Sequence, residues 1–462
     1  MLKHRIRRVH FTGIGGSGMC GIAEVLLTLG YEVSGSDLKM SEVTERLAAR
    51  GARVAQGHRA ANIAGAQVVV YSSAVDRENP ELIEARRLGI PLIRRAEMLA
   101  ELMLLKYGVA VAGTHGKTTT TSMAGLVLAE GGLDPTVIVG GRLDPTGGHA
   151  RPGTGEFLVA EADESDASFL CLSPVVAVIT NVDNDHMDHY RSLERLQAAF
   201  VEFAQRVPFY GSVIACADDP GVRQILPDLR RRTVTYGFRP GAFLRAETAE
   251  LGGAGSRCRI TYEGKPLGDL VLNVPGRHNV LNALAAVAAG LELEVSFEQA
   301  ARAIAGFRGV ARRMQLKGTA RGVTVYDDYG HHPTEIRATA DAARLVADAG
   351  EGKLWILFQP HRYSRTNLLR DAFGAAFEAA DGVVLSEIYA AGETPIPGVT
   401  GRLVFDAVTA HGKPRVRFEP ELARACAAVA EWASEGDVIL TLGAGDVGRC
   451  GETLLGLLGK GR

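Results

Sequence analysis

The sequence predicts an α/β fold of three domains, and two observations carry that expectation. Short apolar runs followed by glycine turns and helical patterns recur from end to end, as strands and helices of parallel sheets do. The chain is also too long for one core: at about 150 residues per domain, 462 residues suggest roughly three.

The strands read from the apolar runs are Val9 to Thr12, Val68 to Ser72, Val109 to Ala112, Phe157 to Ala160, Val175 to Thr180, Leu354 to Phe358, Val383 to Leu385 and Val438 to Leu442. A helical stretch, Ala96 to Lys106, runs into a fresh strand and closes a first unit. A second boundary falls near Gly309 to Arg313, after the helical pattern Ser296 to Ala305 and before strands around Met314 to Leu316 and Val323 to Tyr326. The expected domains are therefore residues 1–106, 107–311 and 312–462. Within the second, Arg245 to Val274 alternates polar and apolar residues, as an antiparallel hairpin region does.

Composition excludes several classes. A formal charge of −2 gives no argument for nucleic acid or an anionic membrane, and no apolar run approaches the ~20 residues needed to span a bilayer. Six scattered cysteines form no Cys-x-x-Cys pair, so free thiols in a reduced cytoplasm are expected. Nothing in the sequence separates a monomer from a homodimer.

The first glycine turn, Gly13-Ile14-Gly15-Gly16-Ser17-Gly18-Met19, follows a strand and opens a helix, and Asp37 lies near the end of the next strand. That is the dinucleotide fingerprint. Taken alone it predicts an NAD-dependent oxidoreductase. The turn itself, however, reports only a diphosphate on a helix N-terminus, and a UDP-sugar carries one too.

The second turn, Gly113-Thr114-His115-Gly116-Lys117-Thr118-Thr119, joins the strand Gly108 to Ala112 to another helix. Backbone N–H groups there cradle phosphate oxygens, Lys117 is placed for the β/γ-phosphates, and the Thr118 hydroxyl is placed for Mg²⁺. The pattern is shorter than the full P-loop, since Val111 stands where the first glycine belongs. Two acidic runs follow the next strands, Glu161-Ala-Asp-Glu-Ser-Asp166 and Asn181-Val-Asp-Asn-Asp-His-Met-Asp-His189. Glu161 and His186 in these runs are candidate ligands of Mg²⁺ beside ATP.

These motifs, with Pro275-Gly-Arg-His-Asn-Val-Leu-Asn282, Asp327-Asp-Tyr-Gly-His-His-Pro-Thr-Glu335, Gln359-Pro-His-Arg-Tyr-Ser-Arg365 and Gly443-Ala-Gly-Asp446, resemble the Mur ligases of peptidoglycan synthesis along the whole chain. The resemblance is strongest to the branch that adds L-alanine to UDP-N-acetylmuramate. It implies a Rossmann-like UDP-sugar domain, a central P-loop-type ATPase domain and a C-terminal Rossmann-like domain for the amino acid. It also implies that ATP phosphorylates the lactyl carboxylate and that an amine attacks the resulting acyl-phosphate. By the same resemblance, His278, Asn279 and Asn282 meet the adenine and ribose, and Arg312 or Arg313 is a hinge arginine, of which Arg313 is preferred. Arg362 and Arg365 are candidates for the alanine carboxylate, because a guanidinium takes a carboxylate in two parallel hydrogen bonds. His332, with Tyr329 and His331, sits in the other loop of that domain facing the site and is a catalytic candidate, although paired histidines in a turn also serve simply to satisfy backbone groups. Ser72, Ser73, His58 and Arg94 or Arg95 are candidates for the UDP-sugar.

Several later-step family members carry a carbamylated lysine after the Asp-His motif. From His186 to Tyr210 this chain has no lysine. The rival within the family is a recycling ligase that attaches a tripeptide to the same UDP-sugar. Gly15-Gly16 and Tyr329-Gly330 follow the alanine-adding pattern instead.

Overall fold

A computed structural model describes residues 6–72, 74–141, 148–413 and 415–460. Its strands form three sheets with helices between them. Every strand named from the apolar runs lies on an observed strand, and the two boundary helices appear as Arg95–Met103 and Phe297–Gly306.

The first sheet has the order β3-β2-β1-β4-β5, from β1 (Arg8–Thr12), β2 (Glu32–Asp37), β3 (Arg53–Gln56), β4 (Val68–Tyr71) and β5 (Leu92–Arg94). All its pairings are parallel. The order reverses between β1 and β4, which puts the ligand crevice of such a sheet beyond their carboxyl ends. The helix Pro80–Leu88 shows how local sequence sets an element: Asn79 caps it by accepting from the Glu81 N–H, Pro80 occupies its first turn, and Gly89 ends it at φ 66°.

The central sheet is built on β6 (Tyr107–Ala112), β7 (Thr136–Ile138), β8 (Ala150–Arg151), β9 (Phe157–Glu161), β10 (Val176–Ile179), β11 (Ser212–Cys216) and β12 (Thr233–Gly237). Strand β6 lies between β10 and β9, all parallel, with β7 next and β8 antiparallel at the edge. Being covered on both faces, β6, β10 and β11 read as continuous apolar runs. Three strands follow where the hairpin region was expected, Leu244–Gly252, Gly255–Tyr262 and Lys265–Leu272.

The third sheet is parallel except for its first strand, Gln315–Ala320, which pairs antiparallel with Val323–Asp328. Beside Val323–Asp328 lie Val438–Leu442, Leu354–Phe358, Gly382–Leu385 and Val416–Phe418, in that order. By contact the chain divides into two compact units, Met1–Glu247 with Ile260–Gly268 and Leu281–Ile304, and Thr248–Arg259 with Asp269–Val280 and Ala305–Arg462. Strands β1 to β12 lie in the first unit, and the third sheet lies in the second. The six cysteines are unpaired, and only Cys171 is exposed. No helix among the described residues is long and apolar enough to cross a membrane.

Candidate active site

The second glycine turn needs its glycines. Gly113 has φ 137° and Gly116 φ 81°, in the region L side chains avoid, and a Cβ on Gly113 would run into the Thr180 hydroxyl. The end of β10 laces the loop in place. Asn181 accepts from the His115 N–H at 2.7 Å and donates to its carbonyl at 2.9 Å, while the Thr180 hydroxyl donates to the same carbonyl at 2.7 Å. The Asp183 N–H donates to the Thr114 hydroxyl, and His115 Nε2 lies 3.0 Å from the Asp183 carboxylate. Asn282 closes the other side by accepting from the Thr120 hydroxyl at 3.1 Å.

At the helix start, Lys117 Nζ donates to the Gly113 and Thr114 carbonyls and lies 2.9 Å from the Glu164 carboxylate, whose side chain has no solvent exposure. Burial works against the Lys117 charge, but Glu164, Glu161 and Asp163 outweigh it and raise the pKa. The Thr118 hydroxyl donates to Glu161 Oε2 at 3.0 Å. His186, at φ 59°, puts Nε2 3.4 Å from Glu164 Oε1. Hard oxygens of Thr118 and Glu161 thus meet at one point, a donor set that suits Mg²⁺, while His186 stands against Glu164.

The first glycine turn is held from β2. Gly13 N and Ile14 N donate to the Ser36 carbonyl at 2.8 and 3.0 Å, and Gly15 N donates to Asp37 Oδ2 at 2.9 Å. Asp37 thus braces the turn. Ile14 and Met19, expected at the ligand, have their side chains in the core, with Ile14 packed on Gly35; only their backbone remains available. Gly16 sits at the cap position of the helix Ser17–Thr28, and a Cβ on Gly18 would meet the Arg95 guanidinium. Arg95 Nη2 also lies 3.0 Å from the Asp163 carboxylate. Ser72 is partly exposed in the loop after β4, and Ser73 lies outside the described residues.

In the second unit, the loops at the carboxyl ends of the third sheet's strands gather another cluster. Arg365, 9% exposed, puts Nη1 3.3 Å from His361 Nδ1, and the His361 ring stacks on Tyr389 at 5.7 Å. His331 lies 5.5 Å from both His361 and Tyr329, ring to ring. Arg362 adopts φ 69° and donates its N–H to the Tyr389 carbonyl. His332 uses its Nδ1 to accept from the Thr334 N–H and cap the helix Pro333–Ala349, with Glu335 reaching back to complete the box. Arg312 is anchored by Asp327 at 3.0 Å and by the Gly443 carbonyl at 2.6 Å. Arg313 Nη1 lies 3.4 Å from Glu335 Oε1, and both guanidinium groups face the Tyr329 ring. His278 is half-buried near Arg313 and Glu335, and Asn279 donates to the Pro275 carbonyl at 2.8 Å.

The structure adds residues that the sequence motifs did not single out: Glu164 under Lys117, Asn181 and Asp183 on the loop, and His361 and Tyr389 around Arg365.

A glycine loop on a parallel sheet, a lysine and threonine at its helix start, and carboxylates on the next strand end define an ATP-dependent ligase architecture. The chain belongs to the Mur ligase family. Its residues 8–107 match the Mur ligase catalytic domain, 111–290 the Mur ligase middle domain and 312–445 the Mur ligase glutamate ligase domain. More particularly, it is 55% identical over 99% of its length to a UDP-N-acetylmuramate–L-alanine ligase from Solibacter usitatus, covering 97% of that protein. It is 53% identical to the protein of the same name from Syntrophotalea carbinolica, covering 97% of this chain and 98% of that one. The crystal structure of UDP-N-acetylmuramate-alanine ligase from Thermotoga maritima superposes with a TM-score of 0.81 at 31% identity, over 98% of this chain and 100% of that one. A murein peptide ligase from Psychrobacter arcticus shares the fold, with TM-score 0.68 at 24% identity over 98% of this chain and 99% of that one. Family membership removes the oxidoreductase reading of the first glycine turn.

Proposed function

We propose that this enzyme joins L-alanine to the lactyl carboxylate of UDP-N-acetylmuramate at the expense of ATP, in the cytoplasmic stage of peptidoglycan synthesis. A lactyl carboxylate oxygen attacks the γ-phosphorus and ADP leaves. The neutral amine of L-alanine then attacks the acyl carbon, and phosphate leaves as the amide forms. The observation that carries this reading is the Lys117–Glu164 and Thr118–Glu161 pairing at the start of one helix, which sets cation and oxygen ligands beside a phosphate loop.

The first step brings two anions together, so catalysis rests on neutralising and positioning charge. Lys117 takes the phosphate oxygens as they gain charge, and the backbone N–H groups of residues 114–119 orient the chain of phosphates. Thr118, Glu161 and His186 would hold Mg²⁺, which supplies neutralisation of phosphate charge when bound. Glu164 keeps the Lys117 ammonium in place before ATP arrives. Asn282 belongs with the nucleotide loop, and Arg313, whose guanidinium faces the Tyr329 ring, is the arginine for a nucleotide phosphate. Arg362 and Arg365 supply the guanidinium groups for the alanine carboxylate. His332 supports that loop as a helix cap. On this reading the domains are 1–106 for the UDP-sugar, 107–311 for ATP and 312–462 for the amino acid.

An amino-acid panel tests the proposal, with UDP-N-acetylmuramate, ATP and Mg²⁺ present and phosphate release measured. L-alanine should support turnover, and glycine less well, because one methyl in a pocket is worth about 1–3 kcal/mol. Turnover with a tripeptide and none with L-alanine would sink it.

A further inference from the structure

The first unit contains a buried polar network that the chemistry above does not use. Glu81, on the helix Pro80–Leu88, has no solvent exposure. Its Oε2 accepts from the Thr12 hydroxyl at 2.7 Å, the Ser36 hydroxyl at 2.8 Å and His10 Nε2 at 3.2 Å. Its Oε1 accepts from Asn62 Nδ2 at 2.7 Å and from the Arg59 N–H at 3.4 Å. Burial opposes ionisation, yet these donors overcome it and hold the carboxyl down at about 2. Glu81 is therefore an anion at neutral pH and can only accept.

That fixes the direction of a proton relay. The Ser36 hydroxyl has one hydrogen, and it goes to Glu81. The 2.8 Å contact between Ser36 Oγ and His58 Nδ1 must then be donated by His58. A neutral imidazole protonated on Nδ1 has a bare lone pair on Nε2. The His58 side chain is 14% exposed, and its Nε2 meets no protein partner among the described residues.

The ring stands beside the first glycine turn. The Ser36 carbonyl takes the Gly13 and Ile14 N–H groups, and the Asp37 carbonyl takes that of Gly57, the residue before His58. In a sheet wound in this order the diphosphate sits on the helix N-terminus and the nucleoside beyond the ends of β1 and β2.

We propose that Glu81 is a positioning residue which, through Ser36, fixes His58 as a hydrogen-bond acceptor for the imide N–H of the uracil ring, and so selects uridine nucleotides. This rests on the UDP-sugar reading of the first glycine turn. Uracil presents a donor at N3, where cytosine presents an acceptor. A ribose hydroxyl can both give and take, so it gains nothing from an acceptor of fixed polarity.

Glu81→Gln tests the polarity itself. Asn62 Nδ2 and the Arg59 N–H are donors only, so they retain the glutamine carbonyl at the Oε1 position and turn its NH₂ toward Ser36. The relay reverses: Ser36 donates to His58 Nδ1, and Nε2 becomes the N–H. Binding of UDP, CDP, 3-methyluridine diphosphate and 2′-deoxyuridine diphosphate to the full-length protein is measured by calorimetry, well above the ordinary imidazole range. The unaltered protein should prefer UDP over CDP and over the 3-methyl analogue by roughly tenfold or more. In Glu81→Gln the UDP:CDP ratio should collapse or invert, while the loss on 2′-deoxygenation stays the same in both proteins. Ser36→Ala, which breaks the relay but leaves Glu81 in place, should also shrink the ratio, and His58→Phe should abolish it. In turnover, His58→Phe should raise KM for UDP-N-acetylmuramate with kcat and the L-alanine KM little changed. A UDP:CDP ratio unchanged in Glu81→Gln and Ser36→Ala, with only the melting temperature lowered, would make the network structural and overturn the proposal. Equal binding of UDP and its 3-methyl analogue by the unaltered protein would overturn it too. Failure of the broader reading looks different: neither UDP nor UDP-N-acetylmuramate would bind at all.

Discussion

The Lys117 ammonium lies 2.9 Å from the Glu164 carboxylate, at the first turn of the helix Lys117–Glu130. The pair places a cation under the phosphate loop and keeps an anion beneath it, so each residue has a separable consequence.

Lys117→Ala removes the cation proposed to meet the phosphates. Turnover should fall by at least about 10³-fold. Binding of UDP-N-acetylmuramate, measured by calorimetry without ATP, should be nearly unchanged, since the proposed diphosphate site is the other glycine turn. Joint loss of both would show that the two turns have been assigned wrongly.

Glu164→Ala leaves that ammonium without its buried partner. Stripping one member of a buried pair costs about 3–5 kcal/mol, so the urea midpoint should drop clearly. Glu164→Gln, which keeps the shape and one acceptor, should lose less. Equal midpoints for the alanine variant and the unaltered protein would mean the pair contributes nothing to folding.

Gly113→Ala forces a side chain into φ 137° and against the Thr180 hydroxyl. The strain should lower stability by about 1–3 kcal/mol and raise the ATP KM more than that of L-alanine. An unchanged ATP KM in a folded variant would place the nucleotide elsewhere.

Stability should also fall on acidification, through two imidazoles of the second unit. Burial, aided by Arg313, pushes His278 down to about 4. Burial pushes His331 to about 3, although Glu335 pulls the other way. An unfolded imidazole titrates near 6.5, so as pH falls the unfolded chain binds its proton first. The stabilisation is complete above about pH 6.5 and is lost progressively as pH falls through the folded values, with a slope of up to about 1.4 kcal/mol per pH unit for each proton. The urea midpoint should therefore decline from pH 7 to pH 4, and His278→Gln should flatten that decline. Parallel profiles for the two proteins would rule this out.

The phosphate loop was legible because its two glycines occupy left-handed backbone and the loop stands between an apolar strand and a helix, both local signals. Glu164 was not. The run from Glu161 to Asp166 contains four carboxylates, three of them in the irregular backbone after β9, where no periodicity tells the buried one from Asp163, whose side chain is 38% exposed. The helix start at His332 was also legible: proline followed by Thr-Glu after the histidine pair spells one, and the structure uses it so. Ile14 and Met19 carried core information too, since Met19, Ile22, Ala23 and Leu26 mark the buried face of their helix. The Glu81 network joins residues from 10 to 81 and has no local signature; in sequence Glu81 is only an acid in a helix's first turn.

Arg95 touches two places at once, the helix start at Gly18 and the carboxylate of Asp163 in the acidic run after β9. On the proposed function, a diphosphate settling on the first glycine turn would compete with Asp163 for the same guanidinium, and a cation settling near Glu161 would compete with the guanidinium for Asp163. Equilibrium linkage then makes the influence mutual: whatever factor the nucleotide-sugar imposes on the affinity for ATP and its metal, these impose on the nucleotide-sugar in return. The order in which the ligands arrive is a question of rates, and the cooperativity between them does not depend on it.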